Sequence, residues 1–251
     1  MNSVLEEIIR TGHVRSAAGE LIPLHSNVTP EVGFFLQGIV AEIGATVSLE
    51  VGLAYGVSAL FICDGLQRSA QTRHFVIDPS QFKLSELNRA GGDPAGRGSW
   101  EGIGLENLKR AGYQEIIEFL EQPSHLALPS LEARGVKVDF AFIDGWHTFD
   151  QALLDFFYAD RLLRVGGVVV LDDTDFKSIR KVCRYVVTNR QYTVLRCLPP
   201  SPERRISQRA GDLFASVFGS DSRLGLVRGS RCMAFKKMAE DQRRWDFHQD
   251  F

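Results

Sequence analysis

The stretch Leu49-Glu50-Val51-Gly52-Leu53-Ala54-Tyr55-Gly56-Val57-Ser58 decides how the chain is read. It continues Thr46-Val47-Ser48, so a β-branched, apolar run meets an acid and then breaks into glycines. Glycine gives a turn its positive φ and lets backbone approach a ligand closely. A strand over 46–51 therefore stops at Gly52, and a helix starts near Val57 or Ser58 and runs towards Leu66. The N–H groups that open such a helix face whatever the turn holds. A dinucleotide turn needs G-x-G-x-x-G around a pyrophosphate. Here Ala54 replaces the middle glycine, and Glu50 stands two residues before the first. A carboxylate there repels a pyrophosphate and suits a cationic or hydroxyl-bearing ligand.

Upstream, Thr29, Pro30 and Glu31 suit the cap and first turn of a helix over 29–43. Val32, Phe35, Leu36, Ile39, Val40 and Ile43 fall on one face of it. Downstream, strands at 74–78, 116–120, 140–143 and 168–171 alternate with helices at about 101–111, 125–134, from Thr148 onward, and 177–189. Thr148 and Gln151 have the spacing of a capping box. Two more strands are expected at 192–196 and 231–236. Short apolar strands alternating with helices are buried on both faces, which makes the chain α/β with a mostly parallel sheet between helical layers. No internal repeat or second-domain boundary is visible. A single domain over 1–251 is expected, with 1–45 as a helical N-terminal cap. Residues 199–230 are too long for a plain loop and read as an insertion or lid between the last two strands; an amphipathic piece lies near 213–218.

In an open parallel sheet, ligands bind at the carboxyl ends of the strands. Glu50, Asp78, Asp144, Asp172 and Asp173 all lie at such ends, which explains why greasy runs such as Phe140-Ala141-Phe142-Ile143 finish in acids. These motifs, in this order, resemble the class I S-adenosylmethionine-dependent methyltransferases over roughly 25–198 and 231–237. That resemblance implies a Rossmann-like, doubly wound, mostly parallel seven-stranded sheet with an antiparallel C-terminal strand. It implies that Glu50, Gly52, Gly56 and Ser58 form the cofactor turn and that Asp78 holds the ribose hydroxyls. Ser124 and His125 match adenine-contacting positions, although Ser124 reads equally as the cap of the next helix. Asp144-Gly145-Trp146-His147 is similar to the catechol and caffeoyl-coenzyme A O-methyltransferases and to related sugar and antibiotic O-methyltransferases. In those terms Asp144, Asp172 and Asp173 hold Mg²⁺ or another divalent cation, Asp144 and Trp146 also contact the cofactor, and His147 is the catalytic base. Two departures stand out: His147 replaces a lysine, and Asp173 replaces an asparagine. On the residues alone, Asp144 could equally bond its own loop, His147 could be a solvated residue before Thr148, and Asp175 either joins the ligands or caps a helix.

The expected function is O-methylation of a hydroxyl on a small molecule. A nicotinamide-dependent oxidoreductase is the first alternative, opposed by Ala54 and Glu50. A non-catalytic methyltransferase-like interaction protein is the second, opposed by the intact turn. With 251 residues, 44% hydrophobic, 24% charged and a net charge of −2, the chain lacks the basic excess that nucleic acid demands. Arg204, Arg205 and Arg209 read as a solvated loop. No run reaches the ~20 apolar residues of a membrane helix, and the start is unlike a signal peptide. Cys63, Cys183, Cys197 and Cys232 form no C-x-x-C pair, so a reducing, cytoplasmic setting is expected. A homo-oligomer is left open.

Overall fold

The computed structural model of the chain describes residues 1–16, 18–83, 98–199 and 230–251. The Gly-rich stretch 90–99, which reads as a loop in the sequence, lies outside the described residues apart from its last two positions. So does the interior of the expected lid, with its amphipathic piece and Arg204, Arg205 and Arg209. The chain forms two compact units, Met1–Asp139 and Phe140–Phe251.

The first unit opens with α1 (Ser3–Thr11), a small hairpin of β1 (His13–Arg15) and β2 (Leu21–Pro23), and α2 (Pro30–Glu42). It continues with β3 (Val47–Val51), α3 (Val57–Gly65), β4 (Arg73–Ile77), α4 (Ile103–Arg110), β5 (Ile117–Leu120) and α5 (Ser124–Ala133). Asn2 starts α1 by accepting from the Leu5 N–H at 2.9 Å, and Gly12 ends it with φ 66°. The hairpin pairs His13 with Pro23 and was not foreseen, because three-residue strands are too short to show a period of two. The strand β3 is parallel to β4, with Leu49 opposite Phe75, and β4 is parallel to β5. Seven consecutive residues of α3, Val57 to Cys63, are buried. Where α2 meets α3, Gly33 lies so close to Phe61 that a Cβ on it would stand 2.1 Å from the ring.

The second unit takes up β6 (Val138–Ile143), which begins in the last residues of the first, and adds α6 (Phe149–Leu162), β7 (Leu163–Leu171), α7 (Lys177–Asn189), β8 (Tyr192–Leu198) and β9 (Cys232–Lys237). Phe140, Phe142, Val168, Val169, Val170 and Phe235 are wholly buried and make its core. The capping box expected at Thr148 does not form: among the described residues no side chain caps α6, and the Thr148 side chain bonds Asp150 instead. The strand β7 starts five residues earlier than its apolar run, with Arg164, Val165 and Gly166 exposed. The seven large-sheet strands run β5-β4-β3-β6-β7-β9-β8. The last strand, β9, is antiparallel to both β7 and β8, as expected of the C-terminal strand. No described helix is long and apolar enough to cross a membrane.

Candidate active site

In the first unit the turn between β3 and α3 takes its shape from backbone conformation. Gly52 has φ 94°, Gly56 φ 77° and Ala54 φ 48°, so three of five residues are left-handed. Ala54 is the costly one, since a Cβ disfavours that region. Side chains from outside the turn hold it there. Asp78, just past β4, accepts from the N–H groups of Leu53 and Ala54 at 3.2 and 3.0 Å. Gln81 donates to the Ala54 carbonyl at 2.9 Å and Asn107 to the Tyr55 carbonyl at 3.0 Å. Asp78 Oδ2 also accepts from Gln81, while Oδ1 accepts from the Ser80 N–H at 2.7 Å. A carboxylate offers about four acceptor positions, two on each oxygen. Oδ2 is thus committed to the turn, and Oδ1 keeps room for one more donor. Burial pushes the Asp78 carboxyl above its ordinary range, against the pull of these four donors.

Glu50 is wholly buried, and its Oε2 lies 3.3 Å from Nε2 of His74, whose Nδ1 meets the Ser48 hydroxyl at 2.8 Å. Among the described residues, Glu50 Oε1 has no hydrogen-bond partner. Ser58 is buried in the first turn of α3, which opens at Gly56 without a side-chain cap. Ser124 is half-buried and His125 exposed at the start of α5. The cap position there is Pro123, so Ser124 is the first helical residue rather than the cap. Two contacts had no sequence signal. Glu121 accepts from the N–H groups of Phe82 and Lys83 at 2.9 and 3.1 Å. Tyr55 meets His25 Nε2 at 2.6 Å, with Trp100 packed on both rings.

In the second unit Asp144, Trp146 and His147 follow β6 and are all half-buried. Ligand atoms of Asp144, His147 and Asp173 lie within 4.8 Å of one another. Asp172 is not in that group: it is 5% exposed, and among the described residues its Oδ1 has no hydrogen-bond partner. Burial, then the charge on Asp173, pushes the Asp172 carboxyl up to about 6, while the Asp173 N–H, the charge of Arg231 and the Cys232 thiol pull it down. Two of the three expected aspartates, Asp144 and Asp173, thus lie together with His147, and Asp172 lies apart from them. The ring of His147 lies parallel to Phe176, 11° between planes and 5.3 Å between centroids.

A model of a family described as methyltransferase domain matches residues 49–174, from β3 to the loop after β7. The chain belongs to that family. The matched methyltransferase segment contains every site residue named above except His25, Ser48, Phe176, Arg231 and Cys232. A candidate caffeoyl-CoA O-methyltransferase of Arabidopsis thaliana is 26% identical over 151 residues, 59% of this chain and 54% of that protein, so the match spans about half of the relative's length. Two solved structures resemble nearly the whole chain. One is an O-methyltransferase from Bacillus cereus in complex with S-adenosylhomocysteine, with TM-score 0.62, 21% identity, 94% of this chain and 92% of that one covered. The other is the O-methyltransferase TomG of Streptomyces achromogenes, involved in tomaymycin synthesis and in complex with S-adenosylmethionine, with TM-score 0.61, 16% identity and 95% and 91% covered. At these identities the likeness is one of fold.

Proposed function

We propose that this methyltransferase-family chain transfers the methyl group of S-adenosylmethionine to a hydroxyl oxygen of a small molecule. The observation that carries the reading is the braced turn at 52–56. It opens α3 with no side-chain cap, so the first N–H groups of the helix are available to the carboxylate of an amino-acid-bearing cofactor. Asp78 Oδ1, with one acceptor position left, takes a ribose hydroxyl. Glu50, Gly52, Gly56 and Ser58 complete the turn, and Ser124 and His125 serve the adenine. Asp144 and Trp146 are the further cofactor residues that the family resemblance implies. A sulfonium methyl is already activated, so the chain need only align the acceptor and remove its proton. His147 is the base. The relatives and structural neighbours named above, O-methyltransferases, support an oxygen acceptor. Four free thiols suit a reducing, cytoplasmic setting.

A second reading, in which His147 is a ligand rather than the base, takes a divalent cation, favoured by the proximity of Asp144, His147 and Asp173. Those three would hold it, with Mn²⁺ or Zn²⁺ better matched than Mg²⁺ or Ca²⁺ to a set containing imidazole. When bound, the cation would polarise the acceptor hydroxyl.

Titration calorimetry with S-adenosylhomocysteine tests the cofactor. Micromolar binding is expected in the wild type, and at least about tenfold weaker binding in Asp78→Ala, which loses a charge-assisted contact. No wild-type binding at millimolar ligand would sink the proposal.

A further inference from the structure

We propose that Asp78 reads one ribose hydroxyl of the cofactor and not two, through Oδ1 alone, so that one of the two deoxyribose forms of the cofactor loses nothing at this residue. A ribose at Asp78 follows from the S-adenosylmethionine reading above. The family resemblance alone would give Asp78 both hydroxyls.

The two oxygens of the Asp78 carboxylate have different surroundings. Oδ2 faces three donors: the N–H groups of Leu53 and Ala54 at 3.2 and 3.0 Å, and Gln81 Nε2 at 3.1 Å. A carboxylate oxygen has about two acceptor positions, so Oδ2 is full before any ligand arrives. Oδ1 takes the Ser80 N–H at 2.7 Å and, among the described residues, nothing else. It keeps one position. Asp78 is 4% exposed, and four donors on its two oxygens fix the plane of the carboxylate.

The donors on Oδ2 are held there for a reason that has nothing to do with ribose. Ala54 has φ 48° where the dinucleotide pattern would place a glycine, and a Cβ disfavours that conformation. Oδ2 supplies part of the hold that a glycine would make unnecessary. Gln81 is wholly buried, and its Nε2 also donates to the Ala54 carbonyl at 2.9 Å, so one amide joins Asp78 to the turn. The Gln81 carbonyl accepts from the Gly102 N–H at 2.8 Å, which ties Gln81 to the start of α4. A second hydroxyl arriving at Oδ2 must displace one of these donors. That exchange swaps one bond to the carboxylate for another and leaves a donor of the turn unpaired, a net loss. The two jobs of Asp78 are thus divided by atom: Oδ2 shapes the turn, and Oδ1 meets the ligand.

Titration calorimetry on the full chain tests this with S-adenosylhomocysteine and its 2′-deoxy and 3′-deoxy forms, in the wild type, Asp78→Asn and Asp78→Ala. In Asp78→Asn the amide oxygen can keep the bonds from Leu53 and Ala54, which spares the turn. The quantity read is the fold-loss in affinity on removing each hydroxyl. Any loosening of the turn is common to the three ligands and cancels in it. Removing one of the hydroxyls is expected to cost about tenfold or more in the wild type and under about threefold in both variants, because its bond to a charged oxygen is already gone there. Removing the other should cost the same factor in all three proteins, whatever its size. Should Asp78→Ala not fold, Asp78→Asn decides. If both hydroxyls lose their effect in the variants, Asp78 reads two; if neither does, Oδ1 takes none. Either result overturns the proposal. Absence of S-adenosylhomocysteine binding by the wild type at millimolar ligand is a different failure, which removes the methyltransfer reading and the single-hydroxyl proposal with it.

Discussion

At the residue scale, Asp172 and Asp173 show how one position changes a role. Both end the same strand, yet one is buried and the other is half-exposed. The folded chain raises the Asp172 carboxyl to about 6. Between its ordinary ~3.9 and about 6, the folded state keeps a proton that the unfolded chain has released. Stability from the protonated form is therefore lost as pH rises through that window. Asp172→Asn copies the protonated shape. In chelator-treated protein its melting temperature should exceed the wild type's at about pH 7.5 and match it near pH 4. An equal offset at both values would show that ionisation of Asp172 is not the cost. The acids themselves were legible in the sequence, because each follows an apolar run. Their partition was not, because it depends on the left-handed backbone at Asp173 and on Cys232, which is 60 positions further along than Asp172.

At the scale of elements, glycines mark where helices approach other parts closely, and two of them separate packing from function. A Cβ on Gly33 would meet the buried ring of Phe61, and one on Gly104 would stand 2.5 Å from the Ala54 carbonyl oxygen. Overpacking of this kind costs about 1–3 kcal/mol. Both Gly33→Ala and Gly104→Ala should lower the urea midpoint. Only Gly104→Ala pushes on the braced turn, so only it should also weaken S-adenosylhomocysteine, by roughly tenfold, a change equivalent to about 1.4 kcal/mol. Equal binding by the two variants would mean that α4 does not set the turn. The sequence showed the glycines of the turn itself, since Gly52 and Gly56 interrupt a strand–helix pattern. Gly33 and Gly104 were silent inside helical patterns, because their reason is a neighbour distant in the chain.

At the scale of the whole molecule, the C-terminal segment is tied to the second unit by charge inside the protein. Lys237 is 1% exposed, and its Nζ donates to the carbonyls of Asp160 and Leu163 at 2.8 and 3.0 Å and to Glu240 at 2.7 Å. Asp160 also takes the Tyr192 hydroxyl at 2.6 Å and pairs with Arg190, which reaches Asp241 at 2.8 Å. Removing one partner of a buried ionic cluster costs about 3–5 kcal/mol, because the others keep their desolvation. Lys237→Met should lose about that much in urea unfolding, whereas Lys236→Met should stay within about 0.5 kcal/mol. A small loss at Lys237 would show that the cluster holds nothing in place. The expected strand ended at 236 and left Lys237 outside it; that Lys237 points inward follows from the register of β9 on β7 and β8.

The sequence by itself determined the order of strands and helices, the parallel sheet and the strand ends where chemistry collects. Those follow from apolar periodicity and glycine breaks, which are local. It also determined the methyltransferase family, through motifs within one contiguous span. Tertiary structure alone decided which side chains brace the turn, that Asp78 spends one oxygen on backbone, and that His147 rather than Asp172 joins Asp144 and Asp173. Those outcomes depend on backbone dihedrals and on hydrogen-bond partners 24 to 60 residues apart, and no local pattern encodes either.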